Sequence, residues 1–177
     1  MARKVLIISS SPRRGGNSDL LCDRFMEGAR EAGLEVEKVF LKDLKINYCT
    51  GCNRCYNGEH PCPQRDDAAG VLEKMVAADV IVMATPVYFY TVCGQMKTLI
   101  DRCCARYTEM TDKEFYFILT AAEESIPIRR AAQTGNSLTP RIRPLPSEGL
   151  FLPNVNFCPA ASAYLCTPKN EPYERQY

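Results

Sequence analysis

Four cysteines, Cys49, Cys52, Cys55 and Cys62, fall within fourteen residues, the first three separated by two residues each and the last standing immediately before Pro63. Thiolates at this spacing in a loop containing glycine and asparagine can wrap a single 4Fe-4S cubane, because each iron needs one sulfur ligand. Zinc also accepts four thiolates, although structural zinc sites more often pair two separated CxxC knuckles. Labile thiols or a redox disulfide are a third reading. His60, the only histidine, lies in the same loop and is assigned no role. Cys22, Cys93, Cys103 and Cys104 fall on predicted helices and read as packed small hydrophobes. Cys158 and Cys166 are given no role.

A second candidate site is the segment SSSPRRGGNSD, from Ser9 to Asp19. It joins an apolar run to a helical pattern, so backbone amides and the positive end of a helix converge where a phosphate could sit. Ser9, Ser11, Asn17 and Ser18 add neutral donors, and Arg13 or Arg14 adds charge. The segment has no GxGxxG, and no lysine follows Gly16 as a Walker loop would require. A hydroxyl-rich cradle of this kind suits a terminal monophosphate such as that of FMN. A third segment, TPVYFYTVCGQMKTLIDR, places Tyr88, Phe89 and Tyr90 just beyond another apolar run. An aromatic cofactor ring would lie there if its phosphate sat on the first loop, with the backbone of Pro86, Val87, Tyr88 and Phe89 along its edge. Thr120 to Glu123 would line the same crevice.

The elements that must position these loops are legible from periodicity. Lys4–Ser9 is a compact β-branched run, the pattern of a strand buried on both faces. Leu21, Phe25, Ala29 and Ala32 recur at helical spacing up to Gly33. Glu35–Phe40 alternates like a half-exposed strand, and a helix capped by Asp66 or Asp67 runs through Ala77. Asp79–Ala84 is a further buried strand, Pro86–Thr91 a loop, Cys93–Tyr107 a third helix and Glu114–Thr120 a fourth strand. Strands alternating with helices imply a doubly wound parallel sheet, with ligands gathered at the carboxyl ends of the strands.

Composition narrows the class. The chain has 177 residues, 46% hydrophobic and 24% charged, which suits one globular domain and argues against coiled coil or disorder. A formal charge of +1 advertises neither nucleic acid nor an anionic membrane. The longest apolar stretch, Val76 to Val92, is broken by Asp79 and Pro86 and is not a bilayer span. Val5–Ile8 is shorter than the roughly 7–15 apolar residues of a signal peptide, so a cytoplasmic location is expected. Ten cysteines in such a chain point toward metal binding or redox chemistry rather than a disulfide framework.

Together SSSPRRGGNS, the four-cysteine set, Asp66 with Asp67, and TPVYFYTVCGQMKTLIDR resemble the flavodoxin-like NAD(P)H-dependent FMN reductase superfamily, and within it the iron–sulfur flavoproteins. The resemblance covers Lys4 to about Glu124. It implies a three-layer α/β/α fold with a five-stranded parallel sheet in the order 2-1-3-4-5. It implies that Ser9, Ser11, Arg13, Asn17 and Ser18 hold the FMN phosphate and that Pro86, Val87, Tyr88 and Phe89, with Thr120, border the flavin ring. Cys49, Cys52, Cys55 and Cys62 would ligate a 4Fe-4S cluster. The cofactors would carry the chemistry, so no side chain is assigned as catalytic. NAD(P)H or a ferredoxin would donate electrons, a small molecule or protein would accept them, and the chain would form homo-oligomers.

Residues 1–125 are thus expected to form the FMN-binding domain, with the cysteine loop inserted at 48–67. Beyond residue 125 the pattern breaks: eight of the twelve prolines fall there, and no fifth strand or last helix is legible. Residues 126–177 read as an irregular extension or as translation in a shifted frame, which would leave the fourth strand an unpaired edge. Two other functions stay open: an NAD(P)H-dependent FMN or quinone reductase without a cluster, and a zinc-stabilised interaction module without turnover.

Overall fold

The computed structural model describes residues 2–55, 61–121 and the backbone of 162–166. His60, Glu123 and most of the proline-rich tail lie outside the described residues. The elements in chain order are β1 (Lys4–Ser9), α1 (Asn17–Glu31), β2 (Glu35–Phe40), α2 (Ala68–Ala77), β3 (Val80–Tyr88), β4 (Thr91–Val92), α3 (Gly94–Arg102), β5 (Glu114–Ala121) and β6 (Ser162–Cys166).

Strands β2, β1, β3 and β5 lie side by side in that order and run parallel. Strict alternation in these β-branched strands sends opposite side chains to two cores. Leu6 and Ile8 of β1, Ile81 and Met83 of β3, and Phe117 and Leu119 of β5 pack with Leu72 and Met75 of α2 and Met96 and Leu99 of α3. On the other face Val5, Ile7, Val82, Ala84 and Ile118 pack with Leu21 and Cys22 of α1. The result is the expected α/β/α layering. Ile7, Ile8, Ile81 and Leu99 are fully buried, each worth roughly 1.5–3 kcal/mol relative to exposure.

Three expectations are revised. The fifth place in the sheet is filled, but by β6 running antiparallel to β5, with Thr120 opposite Ala163. An antiparallel neighbour needs no crossover back to the amino edge, and β5 is not an unpaired edge. The segment expected as a loop after Ala84 instead continues β3 to Tyr88 and folds back as β4, pairing Val87 with Val92. The third helix stops at Arg102 and gives way to 3-10 turns at Cys103–Ala105 and Tyr107–Glu109, rather than continuing to Tyr107.

Candidate functional site

The loops after β1, β2 and β3 all leave the carboxyl edge of the parallel sheet, where open α/β folds gather ligands. The first is the serine-rich turn. Ser9, Ser11 and Ser18 are buried, Asn17 is half-buried, and Arg13 is exposed. The Ser11 hydroxyl donates to the Arg13 carbonyl at 2.7 Å and accepts from the Arg13 amide at 3.3 Å. Ser18 Oγ and Thr120 Oγ1 share a 2.7 Å hydrogen bond, tying the start of α1 to the end of β5. A Cβ added at Gly16 would lie 3.0 Å from Ser11 Oγ and 3.2 Å from the Arg13 carbonyl, so the turn closes tightly there. Both arginines are exposed; Arg14 is ion-paired to Asp43 and stacked 4.6 Å over Phe40.

The charge behind this turn comes from residues not singled out in the sequence. Asp19 Oδ2 accepts from the Gly15 amide at 2.9 Å, and Oδ1 lies 2.5 Å from Lys38 Nζ and 3.4 Å from Ser9 Oγ. Burial alone would raise the Asp19 carboxyl, but the Lys38 ammonium and the Gly15 amide hold it below its ordinary value. Burial likewise opposes the charge on Lys38, and Asp19 with Asp23 more than offsets it, raising the ammonium. Ser10 Oγ donates to the Ala84 carbonyl at 2.9 Å, and Thr85 Oγ1 accepts from the Cys93 amide at 3.1 Å. The first of these bonds ties the loop after β1 to β3, and the second closes the base of the loop after β3.

The hairpin from β3 to β4 turns on two residues, Phe89 and Tyr90, with φ of 46° and 69°. Two successive left-handed residues make the tight hairpin turn that asparagine and glycine usually supply. Here bulky aromatics take the conformation, which is rare and costly for them. Their rings meet edge-on at 5.6 Å, Phe89 is 93% exposed, and Tyr88 and Tyr90 are each about half exposed. Pro86 and Val87 are half-buried at the base of the hairpin.

The loop after β2 carries the cysteines. Cys49 and Cys52 are exposed, while Cys55 and Cys62 are partly buried against the core. The Arg54 amide and the Thr50 hydroxyl lower the Cys52 thiol; burial raises Cys55, with further contributions from Cys104, Cys62 and Cys49. Among the described residues no three histidine, cysteine, aspartate or glutamate side chains converge as a metal cage. The donors are nevertheless all thiols, the set that iron–sulfur clusters and zinc take. A buried cation also stands beside them: Arg102 Nη2 donates to Cys62 Sγ at 3.5 Å. Arg102 Nε is buried without a partner among the described residues. This donor set fits a thiolate-bound metal centre.

Asp66 serves the loop rather than capping α2 alone. Its Oδ1 accepts from the Ala68 amide and from Arg102, and its Oδ2 accepts from the Asn47 amide and from Arg102. Asp67 Oδ2 accepts from the Lys45 amide and makes no side-chain cap. Of the remaining cysteines, Cys22 and Cys103 are buried, and burial pushes both thiols up to about 12. Cys93 is also buried. Cys104 is exposed on a 3-10 turn, contrary to its reading as a packed hydrophobe, because the helix has ended before it. A cavity of about 250 Å³ lies between the start of the cysteine loop and the first turn of α3, lined by Leu41, Ile46, Tyr48, Gly94 and Gln95 among others.

The family model described as NADPH-dependent FMN reductase matches residues 3–155. An iron–sulfur flavoprotein from Archaeoglobus fulgidus is 43% identical over 100 residues, 56% of this chain and 44% of that protein. Another from Methanocaldococcus jannaschii is 44% identical over 99 residues, 56% of this chain and 51% of that protein. The chain spans about half the length of the curated relatives it matches. Among solved structures, an azoreductase from Bacillus anthracis superposes with a TM-score of 0.60 at 18% identity, over 77% of this chain and 79% of that one. That last likeness is one of fold.

Proposed function

This chain belongs to the NADPH-dependent FMN reductase family, and from that premise we propose that it is an FMN-dependent oxidoreductase of the iron–sulfur flavoprotein kind. The observation that carries the reading is the meeting of three loops on one sheet edge: the serine turn after β1, the cysteine loop after β2 and the aromatic hairpin after β3. Ser9, Ser11, Arg13, Asn17 and Ser18 would hold the FMN phosphate. The first-turn amides of α1 and the Arg13 guanidinium supply positive potential there, and Lys38 offsets the buried Asp19 charge. Pro86, Val87, Tyr88 and Phe89, with Thr120, would border the flavin ring, the hairpin aromatics limiting access of water. Cys49, Cys52, Cys55 and Cys62 would ligate one 4Fe-4S cluster; that the two relatives are named iron–sulfur flavoproteins supports an iron–sulfur centre.

When bound, FMN supplies a centre that exchanges two electrons or one, and the cluster supplies a one-electron centre. The protein's part is to position and tune them, and no side chain is needed as an acid or base. The donor would be NAD(P)H or a ferredoxin, the acceptor a small molecule or redox protein, and the assembly a homo-oligomer. No helix among the described residues is long and apolar enough to cross a membrane, and a cytoplasmic site of action fits a redox-active thiol loop. Residues 1–125 would form the cofactor-binding unit, with 126–177 as an atypical extension.

A second reading, an FMN or quinone reductase without a cluster, follows the description of the matching family, NADPH-dependent FMN reductase. The variant Cys52→Ala separates the two. After anaerobic reconstitution it should lose iron and acid-labile sulfide while binding FMN as the parent does. Iron content equal to the parent's would contradict the ligand assignment.

A further inference from the structure

We propose that Arg102 is the positioning residue of the cysteine loop, holding both of its ends on the core and supplying the hydrogen bond that tunes its fourth sulfur. The electrostatic half of this inference rests on the cluster reading above. Arg102 ends α3, and its side chain is 2% exposed; that of its partner Asp66 is 1% exposed. All four Nη hydrogens are used. Nη1 donates to Asp66 Oδ2 at 2.6 Å and to the Asn47 carbonyl at 2.9 Å. Nη2 donates to Asp66 Oδ1 at 3.0 Å and to Cys62 Sγ at 3.5 Å.

The carboxylate is saturated in the same way, since Asp66 also accepts from the Asn47 amide at 2.9 Å and the Ala68 amide at 3.2 Å. One ion pair therefore grips the chain two residues before Cys49, at Cys62 itself, and at the start of α2. Gln64 Nε2 adds a strut to the Tyr48 carbonyl at 2.9 Å. The stretch carrying Cys49, Cys52 and Cys55 is thus closed at both ends onto α3.

Only a guanidinium can do this. Its planar fork reaches a carboxylate, a carbonyl and a sulfur together, whereas a lysine offers a single point charge with three donors. A donor on a ligand sulfur stabilises the more negative, reduced state of a cluster, so it raises the reduction potential. An ion pair kept only for stability would leave the potential unmoved.

The test uses the full chain and the variants Arg102→Lys, Arg102→Gln and Asp66→Asn. In metal-free protein, hydrogen exchange of the amides in residues 45–55 and 61–68 should accelerate about tenfold or more in Arg102→Gln and Asp66→Asn, the scale of one lost hydrogen bond. Exchange in β1, β3 and β5 should hold. In reconstituted protein, EPR-monitored titration should give a lower cluster midpoint potential in Arg102→Lys and Arg102→Gln than in the parent. Arg102→Lys keeps the charge and serves if Arg102→Gln fails to fold. Unchanged exchange in the loop overturns the positioning role by itself. A parental midpoint potential in iron-replete variants overturns the tuning role. A parent protein that takes up no iron overturns the cluster reading and the tuning role with it, while the exchange result still decides the positioning role.

Discussion

Replacing Lys38 by methionine should destabilise the protein by about 3 kcal/mol near neutral pH, and the loss should shrink as the pH falls. Breaking a buried ion pair by removing one partner costs roughly 3–5 kcal/mol, because the other charge is left uncompensated. The Asp19 and Lys38 side chains are 8% and 17% exposed, so solvent screens the pair little. The lower end applies because Asp19 keeps the Gly15 amide and the Ser9 hydroxyl, and because Asp23, 41% exposed, can return to water. In the parent, Asp19 is held below 3.8, so its stabilising contribution is fully present above that value and is lost as pH falls through the lower folded value. In Lys38→Met the ammonium that lowers the carboxyl is gone, and burial, the largest influence on it, should raise it. The penalty is then complete above the raised value and disappears as pH falls through it toward 3.8. Urea unfolding of parent and variant at about pH 7 and about pH 4 measures both terms. Because Lys38 offsets the buried Asp19 charge behind the serine turn, FMN affinity should weaken in the same variant. A difference under about 1 kcal/mol near neutrality, or one that is equal at the two pH values, would refute the reasoning.

Asn-Gly in place of Phe89 and Tyr90 should raise stability by about 1–2 kcal/mol, since it relieves bulky residues from left-handed backbone. It should also weaken FMN binding, and a thermal melt with a flavin titration reads both. Ser18→Ala should cost about 1–2 kcal/mol by orphaning the Thr120 hydroxyl, and adding Thr120→Val should recover most of it, as a double-mutant cycle in urea would show. Brief iodoacetamide treatment of the metal-free protein, read by mass spectrometry, should label the exposed, lowered thiol of Cys52. Cys22 and Cys103, buried and pushed up to about 12, should stay unlabelled until the protein unfolds.

The parallel strands were legible because burial on both faces demands unbroken β-branched runs, and KVLIIS and VIVMA are such runs. Helix α1 announced itself by its apolar spacing, and the serine turn by its hydroxyls. The hairpin was not legible, because its tip is Phe-Tyr and carries none of the glycine or asparagine that marks such turns. The sequence showed Asp66 as a cap, but its partner Arg102 stands 36 residues away, and only tertiary packing brings them together. The Asp19–Lys38 pair was hidden for the same reason: each residue looks like part of a solvated face until α1 lies down on β2. Strand β6 sits in a stretch whose composition carries no strand period, and it is specified by the edge that β5 offers.

The most direct measurement is the iron, acid-labile sulfide and FMN content of the anaerobically reconstituted 177-residue chain, taken with its visible and EPR spectra. One FMN and one four-iron cluster per chain are expected. Flavin bound at full occupancy with neither iron nor sulfide, or zinc held in their place, would contradict the cluster reading.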